Sequence, residues 1–216
     1  MQKRIPYLDF LRCVAILLVI VTHTMSPILP DPFYYQARSW YLCLLQNPIN
    51  RTGVPLFFMI SGYLLLQAPS TINICQFYRR HIPRLLVPLF CWNIIYAVWK
   101  NVTPLDLLRK LLSNGVSYHM WFVYTLLGIY LIAPFLKRLV DHCTEQQLSM
   151  FLIIILLPTT IIPFCNRILS TKIFLFNPLL EGYIGYFLFG YLLGKCEIKA
   201  GWRKIIYIGG LCRLFD

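Results

Sequence analysis

Apolar runs that could cross a bilayer fall at about 11–30, 53–68, 85–99, 119–136, 148–165 and 182–194, and a seventh begins near 205. A helix rises roughly 1.5 Å per residue, so about 20 apolar residues cover a hydrocarbon core. The pattern predicts an all-α fold: a polytopic transmembrane helical bundle of six to seven spans. The 85–99 run is short and has to borrow its flanks or tilt little. Two weaker stretches, Trp40 to Leu45 and Leu105 to Leu112, are too short to cross and predict interfacial or capping helices. Pro104 and Pro178 mark boundaries, whereas Pro55, Pro88, Pro134, Pro158 and Pro163 lie within or at the edge of apolar runs. A proline there frees a backbone carbonyl and bends the helix, which membrane bundles use to shape cavities. No repeat or linker interrupts the chain, so residues 1–216 read as a single membrane domain.

Composition and charge sharpen this picture. The chain is 58% hydrophobic and 13% charged, with a mean hydropathy of +0.65, far from the roughly 25% charged content of a soluble domain. A net charge of +12 in a soluble chain would point to nucleic acid. Here the basic residues cluster in short connections, so the expected partner is lipid and not nucleic acid. With the N-terminus inside, alternation puts eleven Lys and Arg on inside segments against seven outside, which favours a cytoplasmic N-terminus. The first apolar run is too long for a cleavable signal peptide and lacks a small-residue cleavage site, so the first helix is expected to stay. The chain stops at Asp216 shortly after the run from Ile205 begins, which predicts a fragment whose C-terminal spans are missing. Eight cysteines are spread singly, none in a C-x-x-C pair. They read as small apolar residues, and neither a disulfide framework, a metal site nor a permanently bound cofactor is expected.

Two ionisable residues interrupt the first apolar run. Arg12 and His23 are eleven positions apart, and eleven steps of about 100° return to within about 20°, so both leave one helical face at a rise of roughly 16 Å. Asp9 lies three residues before Arg12 and can pair with it. One reading is structural: an ion pair at the interface and a histidine bonded to a neighbouring helix. The other is functional, because a charge inside a span has a burial cost that something must offset.

Four segments then point in one direction. Arg12, ten residues and His23, preceded by Leu8-Asp9-Phe10-Leu11, resemble the first-span signature of the acyltransferase 3 family of membrane acyltransferases. Val54-Pro55-Leu56-Phe57-Phe58-Met59-Ile60-Ser61-Gly62-Tyr63-Leu64 resembles that family's Phe-Phe-x-x-Ser-Gly-Tyr/Phe segment. The stretch from Phe77 to Pro88, with Arg79, Arg80 and Arg84, resembles its basic run leading to a proline, and His119-Met120-Trp121-Phe122-Val123-Tyr124 its His-x-Trp-x-x-Tyr start of a later span. Together they cover the N-terminal two-thirds or so of a typical member, which has about ten spans.

The resemblance implies transfer of an acyl group, most often acetyl, from a cytoplasmic coenzyme A thioester to a hydroxyl of a surface or exported glycan, in the bacterial inner membrane. Acyl-CoA is then a co-substrate. His23 is the expected general base, since a neutral imidazole can take the hydroxyl proton. Arg12 is the expected anchor for the donor's phosphates near the cytoplasmic side. Arg79, Arg80 and Arg84 either share that role or serve topology and headgroups. Ser61-Gly62 reads as helix packing and not as a nucleophile, with Asp9 and Ser61 in support. His119, Trp121 and Tyr124 belong to an interfacial aromatic belt or form a platform for the acceptor sugar. Arg51-Thr52-Gly53-Val54-Pro55 and Gly185-Tyr186-Phe187-Leu188-Phe189-Gly190-Tyr191 look most like the branch that O-acetylates enterobacterial common antigen. The rival readings are a transporter or flippase, with Arg12 and His23 as counter-ions or a proton relay, and succinyl transfer to periplasmic glucans. The sequence leaves the oligomeric state open.

Overall fold

The computed structural model describes residues 5–26, 28, 31, 35, 37–67, 73–113, 115–169 and 183–195. They form α1 (Pro6–Met25), α2 (Arg38–Asn50), α3 (Gly53–Leu66), α4 (Ile74–Trp99), α5 (Pro104–Leu112), a short 3-10 turn (Tyr118–Met120), α6 (Trp121–His142), α7 (Glu145–Leu169) and α8 (Tyr183–Lys195). The fold is all-α, a helical membrane bundle. Among the described residues four stretches are long and apolar enough to span: Pro6–Met25, Arg38–Leu66, Ile74–Trp99 and Tyr118–His142.

That is fewer than the six to seven spans expected. In α7 the qualifying apolar segment is the shorter Glu145–Pro158. The described part of α8 is 13 residues, about 20 Å of rise, and the residues on either side lie outside the described set. The run near 205 lies outside the described residues. Trp40 to Leu45 is not a separate interfacial helix either, because α2 and α3 join across the Arg51-Thr52 turn into one apolar stretch. The 85–99 run does borrow its N-terminal flank. Its helix α4 starts at Ile74, where the Asn73 side chain accepts the backbone N–H groups of Cys75 and Gln76 at 3.0 and 3.3 Å, satisfying donors that a helix start leaves orphaned.

The helices pack as two compact units, one holding the chain to Leu64 and from Gly185 onward, the other Leu65–Ile184. In the first, Pro6 opens α1, where its fixed φ suits the first helical position and its missing N–H costs nothing. Gly53 brings α3 against α1, since a Cβ there would sit 2.8 Å from the Ala15 carbonyl oxygen. The α3–α8 crossing is closer still. A Cβ on Gly62 would lie 1.7 Å from the Phe187 carbonyl oxygen, and one on Gly190 would lie 2.0 Å from that of Met59. Each glycine receives the other helix's backbone, and the two helices run in opposite senses where they meet. Phe58, Phe187 and Leu188 are fully buried around this contact, so the small residues let apolar neighbours interdigitate.

In the second unit α4 packs on α6. The Tyr78 hydroxyl donates to the Leu131 carbonyl at 2.6 Å. Asn93 is fully buried in the middle of an apolar run; its amide donates to the Leu89 carbonyl at 2.8 Å and its oxygen accepts the Val116 N–H at 2.7 Å. Beside it Gly115 has φ +85, a conformation side chains resist. A Cβ there would also meet Asn93 Oδ1 at 2.9 Å and Met120 Cβ at 2.7 Å. Asn93 thus holds the loop that leads into α6. An Asn93→Leu chain is expected to lose about 1–3 kcal/mol, the penalty for stranding the buried Val116 N–H, read as a Tm several degrees lower in detergent. An unchanged Tm would contradict the assigned bond.

Candidate functional site

The first-span pair is built by α1, which continues unbroken from Pro6 to Met25. Its packed arc centres on Leu8 and Ala15, both buried, while Phe10, Cys13, Ile16, Leu17 and Ile20 form an open apolar arc. At about 100° per residue, Arg12 falls at the edge of the packed arc and His23 lies about 20° further round, where the open arc begins. Their exposure follows: Arg12 is partly covered and His23 is exposed. Both therefore line the seam between the face α1 packs and the face it leaves open, about 16 Å apart along the axis.

Arg12 is not alone at its end of the seam. Its Nη1 donates to Asp9 Oδ1 at 2.9 Å, with both side chains more than a third exposed. A pair so open contributes well under about 1 kcal/mol to stability. Asp9 therefore orients the guanidinium more than it secures the fold, and leaves most of its five donors for another anion. Ser61 is partly buried on α3 directly before the Gly62 crossing.

Arg79, Arg80 and Arg84 are all exposed on the N-terminal half of α4. Arg80 and Arg84 lie one turn apart. His81, between them in sequence, is partly covered. Its ring stacks on Phe77 at 4.3 Å and meets Tyr130 edge-on at 6.0 Å, with Nδ1 2.9 Å from the Phe77 carbonyl oxygen. It serves packing, which accounts for a histidine standing inside a basic run.

The structure brings His119, Trp121 and Tyr124 together at the start of α6 and gives each a neighbour. His119, exposed in the 3-10 turn, sets its ring edge-on to Tyr96 at 5.1 Å. Trp121 packs against Tyr183 at 5.5 Å. The Tyr124 hydroxyl donates to the Leu111 carbonyl at 2.9 Å, tying the end of α5 to α6. Lys100 closes the group from α4's C-terminus: its Nζ donates to the Val116 carbonyl at 3.2 Å and to Ser117 Oγ at 2.9 Å, and lies 5.8 Å from the Tyr96 ring centre.

Sequence reasoning missed three polar anchors. Asn93 could have been flagged as a lone amide in an apolar run, which needs a partner wherever water is absent. Lys100 directly follows the 85–99 run, where a cation reads as a charge of the connection. Lys137 directly follows the 119–136 run but is buried on α6 and pairs with Asp141 one turn on; the i,i+4 spacing is the available signal.

Residues 5–213 match the family described as an acyltransferase domain. The chain belongs to the acyltransferase 3 family. This acyltransferase 3 chain is also similar to two curated proteins over part of its length. A serine/alanine racemase from Enterococcus gallinarum is 26% identical over 127 residues, 53% of this chain and 17% of that protein. An amino-acid racemase from Enterococcus faecalis is 27% identical over 154 residues, 64% of this chain and 20% of that protein. The chain spans a fifth or less of the length of either relative. No solved structure matches.

Proposed function

We propose that this membrane acyltransferase moves an acyl group, most often acetyl, from cytoplasmic acyl-CoA to a hydroxyl of a surface or exported glycan, and that residues 1–216 act as one membrane domain with a cytoplasmic N-terminus in the bacterial inner membrane. The observation that carries this reading is the Arg12–His23 seam on α1 in a chain of this family. The acceptor oxygen attacks the thioester carbonyl, a C–O bond forms and the C–S bond breaks. His23 takes the hydroxyl proton and returns it to the departing thiolate, so the proton count closes without another reactant. Arg12, held by Asp9, binds donor phosphate through charge-assisted hydrogen bonds, and the roughly 16 Å to His23 leaves room for the thin arm between phosphate and thioester.

By resemblance, Arg79, Arg80 and Arg84 on α4 are assigned to donor binding, and His119, Trp121 and Tyr124 to acceptor binding. The finer assignment we favour is the branch that O-acetylates enterobacterial common antigen, on the likeness of Arg51 to Pro55 and Gly185 to Tyr191.

Arg12→Ala is the direct test of the donor end. It is expected to raise KM for acetyl-CoA about tenfold or more, with KM for the glycan unchanged, since a charge-assisted contact is worth about 1.5–3 kcal/mol. An unchanged donor KM would remove Arg12 from the donor site.

A further inference from the structure

We propose that α5 is a built-in lipid anchor: its three exposed leucines enter the bilayer interface and Arg109 and Lys110 hold the phosphate headgroup of an anionic phospholipid. This inference does not depend on the acyl-transfer reading.

The argument starts from where α5 must lie. It connects Ile74–Trp99 to Tyr118–His142, two stretches each long and apolar enough to span, and at nine residues it rises only about 14 Å and cannot cross. It is therefore confined to the surface where α4 ends and α6 begins. The eight residues after Pro104 divide into three faces at about 100° per step. Leu107 and Leu111 are partly covered on the side where Tyr124 holds the Leu111 carbonyl. Leu105, Leu108 and Leu112 form a second stripe, left 59%, 56% and 82% exposed by the protein. Asp106, Arg109 and Lys110 form the third, polar side.

Three open leucines beside cations, on a helix pinned at the membrane surface, match an element that lies in the interface with its apolar face among acyl chains. The helix is also preset. Thr103 caps its start, accepting the Asp106 N–H at 3.2 Å, and Gly115 N–H returns to the Lys110 carbonyl at 2.8 Å, so little ordering remains to be done on binding.

Charge selects the occupant. Arg109 and Lys110 outnumber Asp106, which takes part of Arg109 through a 3.3 Å contact, and Lys100 is already bonded to the following loop. The net cation therefore centres on Lys110 and the outer edge of Arg109, where the headgroup of a lipid whose tails lie beside Leu108 would sit. Each basic residue near a charged membrane surface is worth about a fivefold change in affinity.

The test uses the intact chain in detergent, titrated with phosphatidylglycerol or phosphatidylcholine and read by native mass spectrometry. The wild type is expected to retain phosphatidylglycerol in preference to phosphatidylcholine. Arg109→Gln with Lys110→Gln should weaken that retention about tenfold or more, and Asp106→Asn should strengthen it about fivefold. A fluorophore on Leu108→Cys, read as the difference from the identically treated parent protein in vesicles, should be quenched by brominated acyl chains. Equal retention of both lipids by the wild type, retention unchanged in the double variant, or no quenching at position 108 would each overturn the proposal. Leu108, Arg109 and Lys110 are exposed and Asp106 is half-exposed, so lost folding would not mimic lost lipid.

Discussion

A His23→Ala chain is expected to insert, fold and lose acyl transfer. The imidazole sits exposed where the open arc of α1 begins, so trimming it uncovers little buried surface and should leave thermal stability within about 0.5 kcal/mol. Catalysis is different. A positioned base is worth about 10²–10⁴ in rate, about 3–5 kcal/mol at 1.36 kcal/mol per tenfold. The loss should appear in thiol release from acetyl-CoA as well as in glycan acetylation, because in the proposed reaction both follow one attack. His23→Gln keeps a polar side chain of similar reach but has no basic nitrogen, and it should be as inactive as the alanine variant. A glutamine chain with wild-type turnover would assign His23 to hydrogen bonding and remove it as the base.

The second large effect is on the fold. Gly62→Ala places a methyl carbon 1.7 Å from the Phe187 carbonyl oxygen, where only backbone can yield. Relief requires α3 and α8 to part by more than 1 Å, which opens the packing around Phe58 and Phe187. Overpacking of this kind costs about 1–3 kcal/mol, occasionally more. Gly190→Ala repeats the clash at Met59. Because one separation relieves both clashes, the double variant should cost clearly less than the sum of the singles. Equal sums would mean independent sites and would refute a single interlocked crossing. Ser61→Ala, one residue away, should be nearly neutral. Folded yield and Tm in detergent report all four chains.

These two residues mark the reach of the sequence in opposite ways. The helix of α1 and the shared face of Arg12 and His23 follow from spacing, since a periodic backbone needs no partner to fix its geometry. Gly62 was legible as a small residue allowing close approach, but its partner was not. Phe187 lies far along the chain, and pairing between distant helices leaves no periodic trace in either. The same limit hid Asn93 and Val116, whose bond depends on a loop turned by Gly115. Length told less than it promised: run lengths predicted six to seven spans and a separate helix at Trp40 to Leu45, yet among the described residues the qualifying apolar segment of α7 is only Glu145–Pro158, and α2 joins α3. What determined those outcomes was where helices begin and end, which depends on caps and turns as much as on hydropathy. The acyl chemistry came from resemblance alone; geometry could state that Arg12 and His23 form a spaced pair but not which substrate spans them.

The most direct test of the central claim is the acetyl content of surface glycan, by mass spectrometry, in cells lacking the gene, carrying it, or carrying it with His23→Ala. The account predicts ester-linked acetyl groups with the wild-type gene alone, removable by mild base and absent from the other two. Acetylation that is the same in all three, or that persists with His23→Ala, would contradict it.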